Sequence, residues 1–92
     1  ASKADRRREA AQRRAALEPV AKQIKATEGL IERTRSRLEK IEAELADPSL
    51  YEKQPDRVTE LSKERARLAT ALSGYEDTWL SLSAEYEEGM AQ

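Results

Sequence analysis

The sequence predicts an all-α protein, a two-helix antiparallel coiled-coil hairpin, and three observations carry that reading. Leu17, Val20, Ile24, Thr27, Ile31, Thr34, Leu38, Ile41 and Leu45 recur at alternating steps of three and four residues, the signature of a heptad stripe. Val58, Leu61, Arg65, Leu68, Leu72, Tyr75, Trp79, Leu82 and Tyr86 repeat the pattern. Between the two runs lies one proline-marked turn. Two such stripes on a short chain have only each other to bury against, so the chain reads as a rod and not a globule.

Composition agrees with one small domain. Apolar and charged residues each make up 38% of 92 residues, and Phe is absent. A chain this polar could be disordered, but disorder does not generate two phased stripes, and a coiled coil needs few apolar positions per heptad. Cys and His are both absent, which removes the usual zinc, haem, thiol and imidazole chemistry. No run approaches the roughly 20 apolar residues of a membrane span, and no signal peptide is visible. The Ala1-Ser2 start reads as a domain cut from a longer chain.

The first helix is expected over about residues 5–46. Pro19 interrupts it, and an interior proline costs about 3 kcal/mol. Either the helix kinks there, or a short separate N-terminal helix ends near Glu18 and Pro19 opens the next one. Asp47-Pro48 closes the helix. The tip, residues 47–54, contains Leu50 and Tyr51, too apolar for a free loop and expected to fold back on the hairpin end. Tyr51 is either that plug or an exposed contact. Pro55 suits the first turn of the second long helix, with Asp56 beside its positive end. That helix is expected to run to about Glu88, with Gly89 ending it.

Charge selects between two alignments of the seam. One sets Glu44 near Glu64 and Glu28 near Glu76, like against like. The preferred one pairs Arg37 with Glu64 and Leu38 with Leu61, and places the polar seam residues Thr34 and Arg65 in one layer. It also faces Val20 with Trp79, Ile24 with Tyr75, and Arg13 with Tyr86 as a cation–π contact. Trp79, Tyr75 and Tyr86 then belong to the core, not to a base-stacking platform.

Net charge is −1, but its distribution is uneven. Residues 1–40 carry +6 and residues 41–92 carry −7. The outward positions of the first helix include Arg8, Lys22, Arg33 and Lys40 with no carboxylate among them, and Lys25 reaches the strip from its side, as could Arg35 or Arg37. Such a strip suits phosphate contacts, because each cation near a nucleic-acid backbone releases counterions. Arg6, Arg7 and Arg8 with Arg13 and Arg14 form a second basic cluster. Its competing reading is self-neutralisation against Glu76, Asp77, Glu85, Glu87 and Glu88 at the end of the second long helix. The carboxylates form no credible catalytic pair, since a rod offers no cleft to perturb them.

Leu45-Ala46-Asp47-Pro48-Ser49-Leu50-Tyr51, followed by Glu64-Arg65-Ala66-Arg67-Leu68 and Trp79, resembles the C-terminal coiled-coil domain of bacterial ABC-F ATPases, particularly the Uup type, over about residues 15–88. The resemblance implies a cytoplasmic tandem ATPase as the parent chain, linked to ribosome and translation functions, whose C-terminal hairpin binds DNA. ATP and Mg²⁺ would belong to that parent. Neither Walker motif occurs here, so this chain is expected to be neither an enzyme nor a cofactor carrier. The chain departs from a basic family character in its pI of about 5.6, which confines nucleic-acid binding to the first helix. The expected partner is DNA or ribosomal RNA, with the hairpin a monomer. The alternative is a lever or spacer that docks on its own ATPase domains, the ribosome or a partner protein, for which Leu30, Leu50 and Leu80 are the apolar residues left outside the seam.

Overall fold

A computed structural model describes residues 2–92. These residues form three helices: α1 over Lys3–Leu45, α2 over Pro48–Lys53 and α3 over Pro55–Ala91. The long helices α1 and α3 pack against each other and α2 packs on both at the tip. The result is a rod of 74 × 15 × 15 Å, the expected helical hairpin.

Helix α1 starts earlier than the heptads suggest. Ser2 caps it, its Oγ accepting from Asp5 N at 3.1 Å while Asp5 Oδ2 accepts from Ser2 N at 3.4 Å, a reciprocal box that satisfies two otherwise orphaned amides. The helix then runs through Pro19 without a break, so neither a separate N-terminal helix nor a gap exists there. Pro19 lies on the exposed face, where the carbonyl it leaves unbonded is accessible to water. The neighbouring seam residues Leu17 and Val20 are both partly buried, and this packing holds the helix on either side of the missing bond.

At the tip, Asp47 caps α2, its Oδ1 accepting from Ser49 N at 3.0 Å and from Ser49 Oγ at 2.9 Å. Pro48 and Pro55 open α2 and α3 where their missing amides cost nothing. The tip is therefore a helical turn and a half, not a loop. Leu50 is half-buried, whereas Tyr51 stays 51% exposed. The Tyr51 hydroxyl donates to the Leu45 carbonyl at 2.8 Å, so the residue caps the end of α1 instead of plugging the core.

Every position of the first heptad run is buried or half-buried, and so is every position of the second except Arg65. Only Ile41 and Leu61, close to the covered tip, lose essentially all exposure. A single seam between two helices covers one side of each side chain, which leaves the rest of the core half-open. Thr27 and Thr34 sit in the seam because each hydroxyl donates to its own helix, to Gln23 O at 2.8 Å and Leu30 O at 2.7 Å. Neither needs a polar residue across the seam.

The seam differs from its expected alignment. Arg37 does pair with Glu64, at 3.0 and 2.6 Å. Arg65, however, is exposed and points to Glu42 at 3.6 Å, so it shares no layer with Thr34. Trp79 Nε1 donates to Glu28 at 3.1 Å, about 12 Å along α1 from Val20, its expected neighbour. The helices are displaced by about one heptad, with Leu17 meeting Gly89 instead of a position near Leu82, which keeps apolar stripe against apolar stripe. Gly89 does not end α3, which continues to Ala91. A Cβ at Gly89 would lie 2.7 and 2.8 Å from the two Leu17 methyls. Glycine stands there because the helices approach closely.

Candidate nucleic-acid interface

The cations of the rod divide into those fixed by cross-helix pairs and those left free. On one flank of α1, seven-residue steps place Glu28, Arg35 and Glu42 in a row, and these meet Trp79, Glu76 and Arg65 of α3. On the other flank Arg37 and Glu44 meet Glu64 and Arg57. Arg35 and Arg37, which could have turned toward the basic strip, are thus committed to α3. The bidentate Arg37–Glu64 bond holds the Glu64 carboxyl below the ordinary glutamate range against the opposing effect of desolvation, and the same bond raises Arg37.

Lys22, Lys25, Arg33 and Lys40 are exposed, and none makes an ion pair or side-chain hydrogen bond among the described residues. Small residues between them leave their head groups room. A Cβ at Gly29 would lie 3.2 Å from Arg33 Nη1, so the Arg33 guanidinium lies back along the helix over the glycine. Arg8 differs from the other four, for it donates to Asp5 at 3.1 Å.

Arg6, Arg7 and Arg14 are exposed, and no ion pair links them to α3 among the described residues. Residues 2–9 are exposed throughout, and the anticipated neutralising contacts with Glu85, Glu87 and Glu88 do not form. Arg13 is half-buried, its Nε shielded from solvent with no hydrogen-bond partner, which withdraws it from the exposed cluster.

Beside the strip, on the flank of Glu28 and Arg35, the structure has an open groove of about 630 Å³. Ile31, Trp79 and Leu80 line it together with Glu28, Glu32 and Glu39. The heptads place Trp79 in the seam but give no hint that its edge stays open beside Leu80. The available signal was an extra leucine next to a seam tryptophan in a stretch with no cation after Arg67. Among the described residues no cluster of Asp and Glu has the geometry to hold a metal ion.

The family model of the ABC transporter C-terminal domain matches residues 20–84. The chain belongs to this family. Its matched span includes Lys22, Lys25, Arg33, Lys40 and the groove, and leaves the Arg6–Arg14 cluster and Gly89 outside. Neither the curated proteins nor the solved structures gave a significant match. As an ABC transporter C-terminal domain the chain is part of an ABC protein, and none of its described helices is long and apolar enough to cross a membrane.

Proposed function

We propose that this domain is the non-catalytic C-terminal module of a cytoplasmic Uup-like ABC-F ATPase and that it binds nucleic acid without base specificity. The observation that carries the reading is the carboxylate-free face of α1, where Lys22, Arg33 and Lys40 project unpaired with the unpaired Lys25 at its side, while Arg35, Arg37, Arg57 and Arg65 are tied to carboxylates. Arg8, at the far end, joins them when it leaves Asp5 for a phosphate. From Arg8 to Lys40 the strip spans about 48 Å at the α-helical rise, longer than the roughly 34 Å of one duplex turn. It can therefore touch phosphates of more than one turn. ATP and Mg²⁺ belong to the parent's cassettes, and DNA or ribosomal RNA is the ligand.

Four free cations predict a slope of log K against log[salt] near −3.6 on duplex DNA, a loss of about 10²-fold between 50 and 200 mM salt. The test is fluorescence anisotropy of labelled DNA and RNA duplexes across a salt series. Arg33→Glu combined with Lys40→Glu should halve the slope and abolish binding at the higher salt. Absence of binding at low salt, or a double variant that binds like the parent, would reject the reading.

A second reading, a lever or spacer that docks on protein, has its own support. Leu80 is 60% exposed and Leu30 37% exposed, while Leu50 is half-buried against the tip. Docking on the parent's ATPase domains or on another protein would cover Leu80.

A further inference from the structure

We propose that the groove beside Trp79 docks a cationic amphipathic segment of a partner protein, with a large apolar side chain seated on Trp79 and Leu80 and basic residues beside Glu32 and Glu39. This deepens the lever reading and is independent of phosphate binding by the strip.

The apolar requirement comes from the floor. Trp79 is half-buried, and its indole N–H donates to Glu28 at 3.1 Å, which favours the ring orientation that leaves one edge open to the groove. Leu80 stands next to it, 60% exposed. Together with Ile31 they form an apolar surface inside a groove of about 630 Å³, within the usual size range of ligand-binding clefts.

The charge requirement comes from the walls. Four carboxylates line the groove against one guanidinium. Glu76 already accepts from Arg35 at 2.9 Å and Glu28 from Trp79. Glu32 and Glu39 remain, both exposed and unpaired among the described residues. They lie two turns apart, about 10 Å, so a partner helix with basic residues seven apart would meet both. From Glu76 to its C-terminal end α3 also carries Asp77, Glu85, Glu87 and Glu88 and no cation. That field repels phosphates and anionic lipid and attracts a basic polypeptide. The Arg-rich start of a second copy would supply charge, but its Ala10, Ala11, Ala15 and Ala16 offer no large anchor.

Trp79 is the sole tryptophan, so its fluorescence reports occupancy directly. The probe is a 14-residue leucine–lysine peptide with leucines at helical 3-4 spacing, compared with an alanine–lysine peptide and a leucine–glutamate peptide of equal length. The leucine–lysine peptide should shift the emission to the blue with saturation, and the two control peptides should bind at least about tenfold more weakly. Glu32→Lys with Glu39→Lys, and separately Leu80→Ala, should each weaken binding about tenfold while the circular dichroism is unchanged. Arg33→Glu with Lys40→Glu should leave it intact, which separates this site from the phosphate strip. Equal binding of the alanine peptide, or indifference to both groove variants, overturns the proposal. So does a concentration-dependent blue shift without peptide that Glu32→Lys with Glu39→Lys removes, since the occupant would then be a second copy.

Discussion

The close approach at Gly89 gives the same substitution opposite signs at two places on one helix. Gly74 has nothing within 4 Å of where a Cβ would stand. Gly74→Ala therefore gains the intrinsic helix preference of alanine, about 0.8–1 kcal/mol. Gly89→Ala gains less, because it lies in the last turn. Its Cβ would also stand 2.7 and 2.8 Å from the Leu17 methyls and 3.2 Å from Leu17 Cγ, where carbon atoms normally settle about 3.5–4.0 Å apart. Rotating one methyl away leaves the other and Cγ too close, so Leu17 must leave its rotamer or the helices must part. Overpacking of this kind costs about 1–3 kcal/mol. The two alanine variants should then differ by about 1–4 kcal/mol, with Gly74→Ala above the parent and Gly89→Ala at or below it. In a domain of this size each kcal/mol moves Tm by about 4–8 °C, which thermal unfolding followed by circular dichroism resolves. In a Leu17→Ala background the obstruction is gone, and Gly89→Ala should become neutral or stabilising. A Gly89→Ala Tm as high as that of Gly74→Ala would refute the close-approach argument, as would a penalty that persists without Leu17.

Three further outcomes follow from the seam. Ile41→Ala, at a fully buried position, should cost about 2–5 kcal/mol in urea unfolding, more than the same truncation at half-open Leu68. Pro19→Ala should stabilise by up to about 3 kcal/mol without lengthening α1, because it restores a backbone bond in a helix already continuous there; a gain in helical content would show that Pro19 breaks the helix in solution. Glu64, whose carboxyl is held below its ordinary range by Arg37, contributes stability that is present above the unfolded value of about 4.3 and disappears as pH falls through the lower folded value. The stability difference between the parent and Glu64→Gln should thus shrink on acidification, and a difference constant from neutral to strongly acid pH would contradict the sign.

The amino-acid sequence by itself determined the fold class, the long-helix spans to within a few residues at most ends, and nearly every side chain of the seam. Heptad phase is a local property of each helix, so it survives without knowledge of the partner. Register does not. Sliding two antiparallel stripes by one heptad still sets apolar against apolar, and only cross-helix pairs such as Trp79 with Glu28 and Arg65 with Glu42 distinguish the alternatives. The same limit hid the reason for Gly89, which local rules read as a helix end and which Leu17 across the seam explains. Outward positions are fixed by helix phase, so the free lysines of α1 were legible. Which arginines would be tied to α3, and that Trp79 and Leu80 would be left open beside unpaired glutamates, was decided by how the second helix lies on the first.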